Sequence, residues 1–462
     1  MGTDPESPWD GEPAAAWEPY DPSRDGAWDL ARVAHLHRRA GFGAGASRLA
    51  RDVSDGHEAS IRRIVEGDPV GPDGRTRAEF DDLAGSMTDS ARRDPAIGRV
   101  RLAWLFRLLN GPHPLQERMT LAWHGHYATG ARKVADPLAM LDQVEAMRGL
   151  WNAPVSKLHR AMLDSAAMQL WLDGPSSDRD RPNENLGREF LELFALGEGA
   201  YGEGDVKAAA RALTGYRVGG GADLRARSVV FDPKRHDGGE KLLLGETGPW
   251  GPADLVRIAS KQPPAARAVA RRLFLTFIDD ITPPPAPLVD ALADLIRTPG
   301  DVDVARGIRV VLGSRCFHSG GVRGRKVKSP VDFVVGLIRT TGWFRPTPDP
   351  ITIDVSLTRM GQTLLDPPSV AGWSGGYSWL GAPLLIARAN FMAEITSTAG
   401  AEAKLRTLHG KSRGGSPSSW GASVAGAFAP CVQGPGLRGA KAPASYAEAL
   451  RLVASYPEAH LA

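Results

Sequence analysis

The stretch NENLGREFLELF, residues 183–194, decides the fold that the sequence predicts. Its apolar side chains recur at the spacing of one face of an α-helix: Leu186, Phe190, Leu193 and Phe194. An apolar stripe of this period is typical of a helix that packs against a hydrophobic core. We therefore predict a core-facing helix here, and we expect similar helices around it.

The other side of the same helix carries several ionisable groups: Glu184, Arg188, Glu189 and Glu192. Leu191 and Leu196 interrupt this polar side, so it is not predicted to be fully solvated. Carboxylates in a partly buried helix are costly unless they are paired, protonated or bound to a metal. The segment predicts either an internal salt-bridge network through Arg188 or a site that uses the carboxylates.

Helical periodicity extends along most of the chain, in segments separated by Gly, Pro or Asp. Only residues 224–232 and 241–245 are predicted as strands, in at most a small β-hairpin. The sequence thus predicts an all-α fold, built as a large multi-helix single domain. We expect four parts along the chain: a flexible N-terminal arm at 1–27, a helical core domain at 28–400, a mobile Gly/Ser/Pro-rich insertion at 401–443, and a C-terminal helix at 444–462 that packs back on the core.

Composition narrows the class of protein. The chain has 462 residues, of which 42% are hydrophobic and 24% charged, as is ordinary for a globular protein. A net charge of +3 does not indicate nucleic acid as a partner. No apolar run approaches the ~18 residues that span a bilayer, and the N-terminus lacks a secretory signal, so we expect a cytoplasmic protein. Two cysteines, Cys316 and Cys431, are too few for a disulfide framework.

The segment Trp123-His124-Gly125-His126 is the candidate for metal binding. In an extended backbone, His124 and His126 would face the same way and could share one ion. In a helix they would point about 200° apart and could not. The apolar spacing before the segment favours a helix that turns His126 towards the core, where a hydrogen bond is the alternative to metal ligation.

A polar loop in the middle of the chain places His236 beside Asp237, with Lys241 four residues further on. Loops often carry functional residues, so these three are candidates for a catalytic role. Adjacent residues seldom hydrogen-bond each other, however. A surface turn is therefore the alternative interpretation.

The sequence of residues 325–332 predicts the start of a helix at which an anion could bind. Ser329 is placed as the N-cap, Pro330 in the first turn and Asp332 at the capping-box position. Three basic side chains come just before: Arg325, Lys326 and Lys328. Cations beside exposed helix N–H groups favour a phosphate or carboxylate site. A solvated basic loop that pairs with nearby acids is the alternative.

Aromatic side chains occupy a loop punctuated by Gly and Pro further along the chain: Trp373, Tyr377 and Trp379. Such a loop could line a site for a sugar or an aromatic ligand. Aromatic residues in loops also serve to seal the loop onto a core, and the sequence leaves both interpretations open.

Taken together, several segments resemble the large bacterial family known as domain of unknown function 1800. The matching segments run in family order: residues 35–43, 117–126, 183–197, 205–216, 236–237, 326–330, 367–373 and 456–458. Because His124 and His126 lie in a matching segment, the resemblance strengthens the metal interpretation for them. It also implies a partner, since relatives are commonly encoded beside members of the domain of unknown function 1501 family, which resemble alkaline phosphatases and sulfatases.

Known catalytic signatures, such as a P-loop, a dinucleotide-binding glycine pattern, His-Glu-x-x-His or a nucleophile elbow, do not occur. Two functions remain. One is an enzyme with a carboxylate and histidine site, with a divalent metal ion as the candidate cofactor. The other is a non-catalytic helical protein that acts with a partner of the 1501 family. An enzyme of the first kind should bring these side chains together at one pocket: His124, His126, Glu189, Glu192, His236 and Asp237.

Overall fold

The computed structural model describes residues 9–220, 227–344, 347–410, 416–429 and 442–462. Within these ranges α-helices dominate and strands form only two small hairpins, which confirms the predicted all-α fold. The first thirteen helices are α1 (Pro13–Ala16), α2 (Leu30–Gly41), α3 (Ala46–Asp55), α4 (His57–Glu66), α5 (Arg77–Arg93), α6 (Ile97–Asn110), α7 (Pro114–His126), α8 (Ala131–Val134), α9 (Pro137–Gly149), α10 (Val155–Leu163), α11 (Ala166–Trp171), α12 (Glu184–Glu189) and α13 (Glu203–Ala212).

Two antiparallel hairpins lie between α13 and the remaining helices, whereas the sequence predicted at most one hairpin. Strand β1 (Tyr216–Gly220) pairs with β2 (Arg227–Phe231), and β3 (Lys241–Leu243) pairs with β4 (Glu246–Gly248). The predicted strand residues 224–226 lie outside the described ranges. The remaining helices are α14 (Pro252–Ser260), α15 (Pro263–Phe277), α16 (Ala286–Ile296), α17 (Val304–Gly313), α18 (Arg315–His318), α19 (Pro330–Thr341), α20 (Pro350–Arg359), α21 (Ala382–Ser397), α22 (Ala401–Gly410), α23 (Pro417–Phe428) and α24 (Tyr446–Ser455).

The segment that predicts the fold is a helix with its apolar stripe in the core. The side chain of Asn183 caps α12 by accepting a hydrogen bond from Leu186 N at 3.1 Å. Leu186, Phe190 and Phe194 are buried, which confirms the predicted stripe. From Phe190 to Ala195 the α-helix widens into a π-helical segment, a form that occurs often at functional sites.

Gly187 lets this helix approach α13 closely. A Cβ atom at Gly187 would lie 2.7 Å from Ala210 N and 2.9 Å from Val206 O, both backbone atoms of α13. Real Cβ atoms do not approach backbone so closely, and the backbone of a packed helix cannot yield as a flexible side chain does. The glycine therefore sets the distance between the two helices.

Two large apolar clusters form the core, and α7 contributes to both. One cluster is built mainly from α7 and α10–α18, and the other mainly from α6 and α19–α24. Trp123 on α7 belongs to the first cluster and Leu121 to the second. Helix α7 therefore lies where the two clusters meet.

Both segments predicted to be mobile contribute buried side chains in the parts that the structure describes. In the N-terminal arm, Trp17 is buried and its indole N–H donates to Leu288 O at 3.0 Å. In the insertion, α22 and α23 are helical, and Trp420 and Phe428 are buried. Gly421 on α23 faces α24, where a Cβ atom would lie 3.4 Å from the Cβ of Ala449, an ordinary van der Waals distance.

Some of the sequence-based predictions fall on residues outside the described ranges. These are residues 1–8 of the arm, residues 411–415 and 430–441 of the insertion, and Cys431 within the latter. The other cysteine, Cys316, is buried and free. No helix of the described chain is both long and apolar enough to cross a membrane.

The C-terminal segment, residues 446–462, packs on the core beside the start of α19. The ammonium group of Lys328 is buried and donates to two main-chain carbonyls, Phe428 O and Ala459 O, the latter at 2.8 Å. Arg388 donates to Lys328 O at 2.7 Å and to His460 Nδ1 at 3.2 Å. These contacts tie the turn before α19 to residues that come 60, 100 and 131 positions later.

Candidate anion-binding pocket

A pocket of about 400 Å³ lies between α7, α15, the start of α19 and the aromatic loop around Trp373. It therefore collects three of the segments that carry the family resemblance. Its charged lining consists of four cations and two carboxylates: Arg118, Arg271, Arg272 and Lys326, with Asp280 and Asp332. The excess of positive charge makes the pocket attractive to anions.

Both carboxylates already have cationic partners. Asp332 forms a buried ion pair with Arg118 of α7, whose guanidinium also lies 3.9 Å from the ring centre of Phe42. Asp280 accepts from Lys326 Nζ at 3.0 Å and from Val327 N at 3.0 Å. These two pairs are therefore close to neutral, and the remaining charge of the pocket comes from α15.

Arg271 and Arg272 have no carboxylate partner among the described residues. Arg271 is exposed, whereas Arg272 is half-buried and donates from Nη2 to His126 Nδ1 at 3.1 Å. Burial lowers the pKa of Arg272 to about 10, so its guanidinium is still charged at neutral pH. A cation held out of water without a counterion is costly, and a bound anion would remove that cost.

The start of α19 confirms the predicted cap but not the predicted use of its N–H groups. Ser329 and Asp332 form a complete capping box, with Ser329 Oγ accepting from Asp332 N at 3.1 Å. Val331 N donates to the Gln362 side-chain oxygen at 2.9 Å, and Phe333 N donates to Ser329 O. Because these N–H groups are satisfied internally, an anion in the pocket would have to bind to side chains.

The basic residues predicted to bind this anion separate in the structure. Lys326 lines the pocket. Lys328 does not line it, and burial together with nearby arginines holds the pKa of its ammonium group well below the usual range. Arg325 donates to Gly321 O at 2.6 Å and lies 3.5 Å from Asp279. Lys328 and Arg325 thus have structural contacts. The unpaired positive charge of the pocket comes from Arg271 and Arg272, which the sequence interpretation did not identify.

The aromatic loop is seated on α7 through two glycines. A Cβ atom at Gly372 would lie 2.1 Å from Gly125 O, and φ at Gly372 is 82°, so only glycine fits this contact. The contact places Trp373 in the pocket wall, with its ring 5.6 Å from that of His124. The indole Nε1 of Trp373 is buried and finds no hydrogen-bond partner in the described chain.

The two histidines of α7 point to different surroundings, as expected for a helix. His124 is buried against Trp104 and Trp373, and burial lowers its pKa to about 4. His126 donates from Nε2 to Phe194 O at 3.0 Å and accepts at Nδ1 from Arg272. Both ring nitrogens of His126 are therefore engaged in hydrogen bonds, and neither has a free lone pair for a metal.

The carboxylate helix forms separate local contacts. Arg188 pairs with Glu203 through two hydrogen bonds, of 2.9 and 3.0 Å, at an exposed position. Glu192 accepts from the Tyr201 hydroxyl at 2.6 Å, and Glu184 is exposed. Glu189 is half-buried and forms no hydrogen bond in the described residues. The pKa of Glu189 is raised, chiefly by burial and further by the charge of Glu192.

Replacing Glu189 with glutamine should raise the free energy of unfolding at pH 7, by at most about 0.5 kcal/mol because solvent screens the half-buried charge. A carboxyl group whose pKa is raised on folding opposes folding when it is ionised. The gain should therefore be present at pH 7 and disappear below the usual carboxyl pKa. Urea unfolding at pH 7 and pH 4 measures it, with Glu184→Gln on the same helix as the exposed control. A loss of stability at pH 7 would contradict the expectation.

The His236 loop is held together by its own contacts. Asp237 pairs with Arg211 through hydrogen bonds of 2.6 and 3.1 Å, and the Arg211 guanidinium lowers the pKa of that carboxyl. His236 donates from Nδ1 to Thr214 O at 3.0 Å. The Lys241 ammonium is buried and donates to the main-chain oxygens of Asp237 and Gly239. Each of these groups thus supports the loop conformation.

The residues predicted to be catalytic or metal-binding therefore fall into three groups, on α7, on α12 with its π-helical extension, and in the His236 loop. No hydrogen bond or ion pair in the described ranges joins the carboxylates of Glu189 and Glu192 to a histidine of another group. The same ranges contain no set of three His, Cys, Asp or Glu side chains placed to hold a metal ion. Between the described parts of these groups, His126 contacts Phe194 of the π-helical segment, through a hydrogen bond to the main-chain oxygen and through the two rings.

A comparison with known protein families identifies the family of this chain. The family described as protein of unknown function (DUF1800) matches residues 35–458, nearly the whole sequence. The chain therefore belongs to this family. No curated protein and no solved structure gives a significant match.

Proposed function

We propose that the protein binds a small organic oxyanion in the pocket between α7, α15 and α19. The observation that carries this proposal is the pair of pocket arginines, Arg271 and Arg272, that have no carboxylate partner in the described chain. Guanidinium groups recognise phosphate and carboxylate oxygens through paired hydrogen bonds. A ligand with two negative charges would balance the lining.

The size and composition of the pocket favour a ligand that has a ring as well as a charge. A volume of about 400 Å³ falls within the range of small-molecule sites. Trp373 and Trp379 provide an aromatic part of the wall, against which a ring could pack. The unpaired Trp373 Nε1 could donate a hydrogen bond to such a ligand. An aryl or sugar phosphate, or a comparable carboxylate, has these features.

Isothermal titration calorimetry with phenyl phosphate tests this proposal, with benzyl alcohol as the uncharged control. Arg272→Gln should weaken phenyl phosphate binding about ten-fold or more, because a hydrogen bond to a charged group contributes about 1.5–3 kcal/mol. The same variant should fold at least as stably as the wild type, since it removes an unpaired cation. Arg267→Gln, on the exposed side of α15 where Arg267 pairs with Asp290, is the matched control. Equal affinity for phenyl phosphate in wild type and Arg272→Gln would refute the proposal, as would binding of benzyl alcohol just as well.

An enzymatic role with a carboxylate and histidine site has less support than binding. Within the pocket, Asp280 and Asp332 are paired with cations, and Ser329 Oγ donates to Asp332 at 2.9 Å. None of them is thereby prepared to act as a base or a nucleophile. Metal analysis of protein purified without a histidine tag tests the metal-dependent form of this hypothesis. A stoichiometric ion lost on mutation of His124 would favour it.

A partner role with a protein of the 1501 family is the second candidate, and a surface groove supports it. The groove has a volume of about 520 Å³ and lies between α10 and α14. It combines apolar and basic side chains: Leu150, Ala161, Val256, Lys157, Arg160 and Arg257. Arg160 and Arg257 pair with carboxylates of the protein itself, so Lys157 is the lining cation that would attract an acidic protein surface. Co-purification of the two proteins tests the role, and Lys157→Glu should weaken it while Lys207→Glu on α13 should not.

A further inference from the structure

The pocket arginine Arg272 is held by a histidine that does not line the pocket itself. His126 lies at the end of α7, and its Nδ1 accepts a hydrogen bond from Arg272 Nη2 at 3.1 Å. The other ring nitrogen donates to Phe194 O at 3.0 Å. Since a carbonyl oxygen only accepts, the proton of the neutral ring must be on Nε2. The lone pair of Nδ1 is therefore free to accept from the guanidinium.

The carbonyl that fixes this tautomer is itself held in place. Phe194 lies in the π-helical segment, and its oxygen also accepts from His159 Nε2 at 3.1 Å. His159 Nδ1 in turn accepts from Ser260 Oγ at 3.1 Å. The buried His159 and the half-buried His126 thus converge on one main-chain oxygen, and the orientation of the His126 ring is set from outside the pocket.

We infer that His126 is a positioning residue for anion binding, which orients the Arg272 guanidinium so that its remaining N–H groups serve the ligand. This inference rests on the proposed anion-binding function. A long side chain loses rotational freedom when it binds, and a guanidinium already held by one hydrogen bond has less freedom to lose. Part of the affinity for the anion therefore depends on His126, a residue that the anion does not contact.

Two substitutions separate the two hydrogen bonds of His126. Asparagine carries its Oδ1 one bond from Cγ, as histidine carries Nδ1, so His126→Asn keeps an acceptor for Arg272 and loses the donor to Phe194 O. Glutamine extends one bond further, so in His126→Gln the amide nitrogen can replace Nε2 as the donor to Phe194 O, while the amide oxygen no longer occupies the position of Nδ1 beside Arg272. In calorimetry with phenyl phosphate, we expect affinity within about two-fold of wild type for His126→Asn and about ten-fold weaker for His126→Gln. Equal weakening in both variants would overturn the positioning role.

Nuclear magnetic resonance of the ligand-free protein provides a readout that does not depend on binding. With ¹⁵N-labelled arginine, the Nη signals of Arg272 are assigned by their absence in Arg272→Gln. They should be resolved, as for a guanidinium with hindered rotation, in wild type and His126→Asn, and averaged in His126→Gln. Averaged signals in the wild type overturn the inference whatever the ligand. Resolved signals without phenyl phosphate binding support the contact but refute the proposed function.

Discussion

Glu117→Gln should lower the free energy of unfolding by about 3 kcal/mol, the lower end of the cost of breaking a buried ion pair from one side, because Arg148 keeps a second carboxylate partner in Glu145. Glu117 lies on α7, one residue before Arg118 of the pocket, and is 4% exposed. Its carboxylate accepts from Arg148 Nε at 2.7 Å, from Arg148 Nη2 at 3.2 Å and from Trp104 Nε1 at 3.0 Å. Glutamine would keep the shape but offer Arg148 and Trp104 only one accepting oxygen, and it would leave the buried Arg148 with the half-exposed Glu145 as its remaining carboxylate partner.

Urea unfolding followed by circular dichroism measures this loss, with the exposed Arg188–Glu203 pair as the control. Glu203→Gln breaks a pair of similar geometry in water, so it should leave the free energy of unfolding nearly unchanged. The contrast isolates burial as the cause. Similar small effects from both substitutions would show that the Glu117–Arg148 pair is hydrated and that α7 is packed less tightly than described.

Gly187→Ala should destabilise the protein by about 3 kcal/mol, at the upper end of the usual cost of overpacking. The added methyl group would meet backbone atoms of α13 at 2.7 and 2.9 Å, and no rotamer change can relieve that contact. The two helices would have to move apart. Because α12 continues into the π-helical segment, the displacement should reach Phe194 and the histidines that bind its carbonyl.

Gly85→Ala is the matched control for this substitution. Gly85 also lies within a helix, α5, but a Cβ atom there would meet nothing within 4 Å. Alanine has the higher helix propensity, so Gly85→Ala should stabilise the protein by about 0.5–1 kcal/mol. Thermal unfolding of both variants gives the comparison. A neutral Gly187→Ala would mean that α12 and α13 are farther apart than the structure places them.

Local sequence patterns predicted the parts of this fold that depend on local physics. The stripe from Leu186 to Phe194 marks a buried helix face, and Ser329 with Asp332 marks a helix start, because both features depend on residues a few positions apart. The π-helical segment was not predicted. Its apolar spacing is compatible with an α-helix, and the contacts to Phe194 O come from His126 and His159, far away in sequence.

The positive charge of the pocket could not be predicted from the sequence for the same reason. Seen in sequence, Arg271 and Arg272 resemble any basic pair on an amphipathic helix, and nothing nearby shows which arginines lack a carboxylate partner. Asp280, in the loop after α15, and Asp332, in the first turn of α19, decide it, because they pair with Lys326 and Arg118 instead. The sequence did indicate that basic residues cluster before α19. It could not show that Lys328 and Arg325 are engaged in contacts of their own within the fold, because those contacts are visible only in the structure.

The two carbonyls that bind Lys328 also constrain when the molecule can finish folding. Ala459 is 131 positions after Lys328, so a ribosome adding 5–20 residues per second makes it on the order of ten seconds later. Until then the lysine lacks one of its two acceptors, and the turn before α19 is not yet held by residues 459–462. The pocket wall that includes Lys326 and Ser329 is therefore completed only after residues 459–462 have been made, and on the proposed function a nascent chain should gain affinity for the anion only after that point.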